Sequence, residues 1–187
     1  MAFVKRRIMF LTAATAAGFL FSSLAFAFIL FGPGPVVALA HTEFSMGANR
    51  EVKARLDGFQ QVPSILTNGS GTFEAKIDED SASISYTLTY SGLSSAVTVA
   101  HIHFAQRGVN SGIFAFLCGG GGKPACPAAG GTVTGVITAA DILGLPDQGL
   151  AAGDFAGAVR AIESGNTYAN VHSKNFPGGE IRGQIND

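Results

Sequence analysis

Two histidines, His101 and His103, stand two residues apart in the apolar segment "AHIHF". Successive side chains of a β-strand point to opposite sides, so these two imidazoles would project from the same side of a strand. Two imidazoles at that spacing can bind one transition-metal ion, and a third could complete a site for copper or zinc. His172, in the segment "NVHSKNF", is the candidate third ligand.

The same histidines also fit a structural hypothesis. Neutral histidines with satisfied nitrogens are common inside folded domains. In this hypothesis the three imidazoles form a hydrogen-bonded polar cluster with Asn170, Glu180 and Arg182. Glu180 and Arg182 are themselves two residues apart in a predicted strand, which predicts that they face the same side. A third hypothesis is an acid–base site, and the sequence leaves all three open.

Enzymatic motifs give little support to a catalytic function. The sequence contains no G-x-S-x-G nucleophile turn and no H-E-x-x-H metalloprotease motif. An H-x-H pair on a strand, with later histidine and arginine residues, is similar to the pattern of copper–zinc superoxide dismutase. That likeness covers only a few residues, because the bridging histidine and the further zinc ligands have no evident counterparts here. The sequence therefore favours a protein without catalytic activity and keeps an oxidoreductase as the alternative.

The N-terminus predicts export. Lys5, Arg6 and Arg7 precede residues 8–31, which contain no charged residue, and the small-residue pattern of Ala38–Ala40 follows. This order is typical of a signal peptide cleaved after Ala40. The apolar run is also long enough to cross a bilayer, so residues 1–40 are predicted as a signal peptide or a membrane anchor. Either alternative places residues 41–187 outside the cytoplasm, secreted, periplasmic or at the cell surface.

The charge of residues 41–187 argues against nucleic-acid binding. This part holds all 13 acidic residues but only nine of the 12 lysines and arginines, because the other three lie in the N-terminal segment. Its formal net charge is therefore nine minus 13, or −4. Nucleic-acid binding requires a clustered positive surface, and no basic run is present.

The two cysteines, Cys118 and Cys126, bracket the glycine-rich loop "GGGGKPA". In an exported chain, such a pair predicts one local disulfide that restricts the loop.

Short alternating segments predict an all-β fold. Residues 71–90 alternate apolar and polar residues on both sides of an acidic turn, which predicts a β-hairpin. Asp154 is a predicted N-cap for one short helix that carries Phe155, Val159 and Ile162 on one side. The prediction is a mostly antiparallel, Greek-key-like β-sandwich or barrel with one short helix, preceded by the N-terminal signal or anchor helix.

Three separated blocks of sequence resemble the chordin-type (CHRD) domain family: "VKARLDGFQQVPSILTNGSGTFEAKID", "ISYTLTYSGLSSAVTVAHIHFAQRGVNSGIFAFLC" and "YANVHSKNFPGGEIRGQI". The resemblance covers about residues 51–185. It implies an extracytoplasmic β-rich domain with a binding function. Gln61 is a departure, because the family usually carries glutamate there.

The first functional hypothesis is therefore an exported CHRD-type binding or structural module. Its loops around residues 105–112, 118–130 and 173–179 would meet an unknown extracytoplasmic protein or surface ligand. The alternative is a copper- or zinc-binding domain that uses the three histidines.

Overall fold

The structure, a computed structural model, describes residues 50–186. Eight strands make up most of this region: β1 (Arg50–Asp57), β2 (Ser70–Asp78), β3 (Ser83–Ser91), β4 (Val97–Phe104), β5 (Ile113–Cys118), β6 (Gly131–Thr138), β7 (Thr167–Ser173) and β8 (Ile181–Ile185). The helix α1 spans Phe155–Glu163, and three short 3-10 helices span Gly58–Gln60, Ala139–Asp141 and Pro146–Gln148.

All eight strands belong to one sheet, in the order β5-β4-β7-β8-β1-β2-β3-β6. Every pairing between neighbours is antiparallel. The sheet curves into a nearly closed barrel, so of the two predicted architectures the barrel describes this protein. The prediction of a mostly antiparallel all-β fold with one helix is confirmed.

The predicted hairpin is confirmed as β2 and β3, which pair from Ser70 with Ser91 to Asp78 with Ser83. Their apolar residues alternate inward, and Phe73, Ile84 and Leu88 are almost completely buried. The outward side of both strands is largely exposed to solvent. This alternation is the signature of a strand that packs on one face only.

The helix α1 begins where the sequence predicts it. The Asp154 side chain accepts a hydrogen bond from the backbone N–H of Gly157 at 2.8 Å, as an N-cap does. Val159 and Ile162 are buried against the core. Gly165, with φ of 70°, takes the left-handed conformation that ends the helix.

The cysteine loop lies beside the two edges of the sheet, β5 and β6. Cys118 ends β5, and its sulfur is at disulfide distance from that of Cys126, with the two Cα atoms 5.1 Å apart. Within the loop, the Lys123 ammonium donates to the carbonyl oxygen of Val136 in β6 at 2.7 Å. The loop therefore links the strands that would otherwise leave the barrel open.

The predicted signal peptide or anchor, residues 1–40, and its proposed membrane tether, residues 8–31, lie outside the described residues. In the part from residue 50 to residue 186, no helix has both the length and the apolar character needed to span a membrane.

Candidate functional site

Strands β4 and β7 position the three histidines. His101 and His103 lie on the side of β4 opposite Ala100 and Ile102, which belong to the hydrophobic core. β4 pairs with β7 so that Val99 faces His172, which places His172 diagonally across from His101. Register shifts in the β4–β5 pairing fall just before His101 and just before His103. Such bulges redirect side chains and recur beside functional sites.

The structure brings the three imidazoles together. The ring centre of His101 lies 4.5 Å from that of His103 and 4.5 Å from that of His172. One ligand nitrogen of each ring lies within 4.8 Å of the other two, and all three residues are buried. Three points so spaced share a centre no more than about 2.8 Å from each, against a metal–nitrogen bond of about 2.0 Å.

Two backbone carbonyls fix the tautomers of two of the rings. His103 Nδ1 lies 2.7 Å from the carbonyl oxygen of Ser111, and His172 Nδ1 lies 2.8 Å from that of Pro177. A carbonyl oxygen only accepts, so both Nδ1 atoms carry the proton and donate. In the neutral rings the Nε2 atoms are then unprotonated, with lone pairs free to bind a metal.

Each ring also has one buried nitrogen without a hydrogen-bond partner in the described residues. These atoms are His101 Nδ1, His103 Nε2 and His172 Nε2. Buried polar atoms nearly always have a partner, so three unpartnered nitrogens from neighbouring rings are unusual. For His103 and His172 they are the very atoms that the carbonyl contacts leave unprotonated.

Burial keeps the histidines uncharged. It lowers the pKa of His101 to about 2, and the neighbouring His172 and His103 lower this pKa further. Burial likewise lowers the pKa of His103 to about 4, although the hydrogen bond to Ser111 opposes the shift. The pKa of His172 is also lowered by burial. All three rings are therefore neutral at physiological pH, the state in which imidazole binds metals.

Aromatic side chains enclose the cluster. The Tyr168 ring stacks on the His103 ring, with centres 4.5 Å apart and planes inclined by 10°. The Phe116 ring meets His101 edge-on at 5.7 Å. Tyr168 and Phe116 did not emerge from the sequence as site residues. Tyr168 shares its side of β7 with Asn170 and His172, so the periodicity of the strand could have predicted that Tyr168 lies next to the histidines.

Arg182 is almost completely buried, and its guanidinium lies 3.4 Å from the centre of the Tyr168 ring. It donates to Asn110 Oδ1 at 3.3 Å and to the carbonyl oxygen of Gln106 at 3.2 Å. Among residues 50–186 no carboxylate forms an ion pair with it. Tyr168 therefore contacts both the positive charge of Arg182 and the His103 ring of the histidine cluster.

The three predicted polar partners do not join the histidines through hydrogen bonds. Asn170 Oδ1 accepts from Gln61 Nε2 at 2.7 Å, and Arg182 has the partners given above. Gln61 thus uses its amide as a donor, which an ionised glutamate at this position could not do.

Glu180 lies before β8 and binds a different set of groups. Its carboxylate accepts from Thr67 Oγ1 at 2.6 Å, from the backbone and hydroxyl of Ser94, and from the Ser173 hydroxyl. Burial raises the pKa of this carboxyl, but the hydrogen bonds outweigh burial and the pKa is lowered overall. Glu180 therefore holds the loops of Thr67 and Ser94 and the end of β7 rather than the histidines, and it forms no ion pair with Arg182.

The fold and the site together define a small β-barrel domain with a buried cluster of neutral histidines. The family model for the CHRD domain matches residues 52–185, which is nearly all of the described region. The chain belongs to the CHRD domain family. No curated protein matches the sequence, and no solved structure matches the fold.

Proposed function

We propose that this chain is an exported CHRD domain that binds one transition-metal ion, copper or zinc, through His101, His103 and His172. The proposal is carried by the convergence of the three rings, in which one ligand nitrogen of each lies within 4.8 Å of the other two, together with the buried, unpartnered nitrogen on each ring. A metal ion would give the lone pairs of His103 Nε2 and His172 Nε2, and one lone pair of the His101 ring, a partner at once. The binding function expected of the family would then be the binding of an ion.

The surroundings of the histidines support the proposal. The hydrogen bonds from His103 and His172 to backbone carbonyls are the contacts that orient metal-binding histidines in proteins and raise their basicity. The neutral state of the rings removes the competition of protons with the ion. A purely structural cluster would be expected to hydrogen-bond the second nitrogen of each ring as well, and these nitrogens have no partner in the described residues.

The position of Arg182 favours a binding function over catalysis on anions. An arginine that steers an anion to a metal needs an accessible guanidinium, whereas Arg182 is 1% exposed and stacked on Tyr168. It is better placed to brace Tyr168, and through it the His103 ring.

Three features support a location outside the cytoplasm. The N-terminal sequence is typical of export. The cysteine pair at disulfide distance suits an oxidising compartment. Membership of the CHRD family points the same way. The domain would be either released or tethered at the outer face of the membrane.

The test is metal analysis of the purified full-length chain, followed by calorimetric titration of the metal-free protein with copper and zinc. We expect one ion per chain. His103→Ala should weaken binding by at least about a hundredfold, because two ligands hold an ion far less tightly than three.

His41→Ala, at the fourth histidine of the chain, is the control for the loss of an imidazole. It should bind like the unmodified protein. A folded protein that binds neither ion would overturn the proposal. The module would then act on an extracytoplasmic partner through the loops around residues 105–112, 118–130 and 173–179.

A further inference from the structure

We infer that the ion selected by this site is monovalent copper, Cu(I), in preference to Zn²⁺ or Cu²⁺. The inference rests on the proposed metal site and concerns the charge and coordination number of its occupant. Three observations carry it: the charge of the ligand set, the nearby Arg182, and the enclosure of the cluster.

The ligand set contributes no negative charge. In the described residues, no aspartate, glutamate or cysteine joins the three histidines as a potential ligand. Cys118 and Cys126 are paired with each other, and Glu180 is committed to Thr67, Ser94 and Ser173. The bound ion would keep its full formal charge inside the protein. The cost of burying an ion rises with the square of its charge, so a divalent ion is penalised about four times as heavily.

The charge of Arg182 adds to this penalty. The guanidinium of Arg182 lies 3.4 Å from the centre of the Tyr168 ring and the His103 ring lies 4.5 Å from the same centre, so the two groups are at most about 8 Å apart. A divalent ion is repelled by this arginine twice as strongly as a monovalent one.

The cluster offers three ligands and little space for more. Its histidines are only 3%, 8% and 8% exposed, and Phe116 and Tyr168 pack directly against two of the rings. Zinc is almost always four-coordinate, with water as the fourth ligand where the protein supplies three. Cu(II) prefers a square or tetragonal set of at least four ligands. Cu(I) is stable with three ligands, so of these ions it is the one whose coordination the three histidines complete.

The test compares affinities on the full-length protein. Cu(I), kept reduced with ascorbate under nitrogen, is titrated in competition with bicinchoninate, and Zn²⁺ and Cu²⁺ are titrated against chelators of known affinity. We expect Cu(I) to bind at least about a thousandfold more tightly than Zn²⁺, and X-ray absorption to count three nitrogen ligands.

The outcomes separate the two proposals. Equal or tighter binding of Zn²⁺ or Cu²⁺, or a fourth oxygen ligand on the copper, overturns the inference but leaves the metal site standing. The absence of binding by any of the three ions overturns the proposed function itself.

A charge variant tests the role of Arg182 separately. Arg182→Met keeps an apolar side chain over Tyr168 and removes the charge, and we expect it to reduce the Cu(I)-to-Zn²⁺ affinity ratio by roughly tenfold or more. Arg182→Lys should keep the ratio near that of the unmodified protein. Arg160→Met, at an exposed arginine of α1, is the control and should leave the ratio unchanged. A ratio unaffected by Arg182→Met would rule out the electrostatic part of the argument.

Discussion

The polar sides of the strands are exposed in one half of the barrel and buried in the other. In the open half, formed by β1, β2, β3 and β6, one side packs on the core and the other faces solvent. In the covered half, β7 and β8 are buried along their whole length, and β4 along most of it. The strands of both halves alternate apolar and polar residues in sequence, but only in the covered half are the polar residues buried.

Loops create the difference. Gln61 reaches Asn170 from the loop after β1, the carbonyl of Ser111 reaches His103 from the loop after β4, and that of Pro177 reaches His172 from the loop after β7. A polar group covered in this way must find a partner inside the protein. In the open half water serves that purpose, so a polar residue there constrains little. The comparison predicts that equivalent substitutions will have unequal effects in the two halves.

The largest difference is expected between two glutamates. Glu180→Ala removes a buried carboxylate that accepts four hydrogen bonds and leaves their donors unpaired, so we expect it to lower the free energy of unfolding by about 3 to 5 kcal/mol. Glu74→Ala, on the exposed side of β2, should change it by less than about 0.5 kcal/mol. Chemical denaturation measures both. Similar losses for the two variants would remove the distinction between the halves.

The second effect is the pH dependence of the metal-free protein. The histidines have pKa values in the folded state below those of the unfolded chain, so the unfolded state binds more protons below about pH 6.5. Stability should therefore fall as the pH decreases from 7 to 5, by up to about 1.4 kcal/mol per pH unit for each histidine.

Thermal unfolding in the presence of a chelator measures this slope. His103→Phe, which can still stack on Tyr168, should flatten it, since one of three titrating rings is removed. No histidine occurs in the strands of the open half, so no imidazole of those strands contributes to the slope. A flat profile for the unmodified protein would contradict the assignment of buried, neutral rings.

The smallest effect compares two side-chain hydrogen bonds by double-mutant cycles. The buried pair Gln61–Asn170 should show a coupling energy of about 1 kcal/mol, because neither amide has water as a substitute partner. The pair Thr89–Thr132, at 3.0 Å on the exposed side of β3 and β6, should show a coupling near zero. Urea denaturation of the single and double alanine variants gives both energies. Coupling of equal size would show that the loops do not isolate the covered half from water.

The sequence by itself determined the strands, the helix and the residues that face the core. Alternation in "ISYTLTY" placed Ile84, Tyr86 and Leu88 on one side of β3, and the Asp154 cap located the start of α1. These features are local, because the geometry of a strand or a helix terminus depends on a few consecutive residues. The same geometry predicted that His101 and His103 share a side of β4, and the spacing of the cysteines predicted their proximity.

Only the tertiary structure decided what lies over the polar side of β4, β7 and β8. Periodicity distinguishes one side of a strand from the other, but it does not say whether water or a loop covers the polar side. Gln61 and Asn170 are 109 residues apart, and the carbonyls of Ser111 and Pro177 that set the histidine tautomers belong to backbone with no sequence signature. Two of the three partners of Glu180, Thr67 and Ser94, likewise come from distant segments. The site is therefore a product of contacts between segments, which the nearly closed barrel brings together and no local pattern encodes.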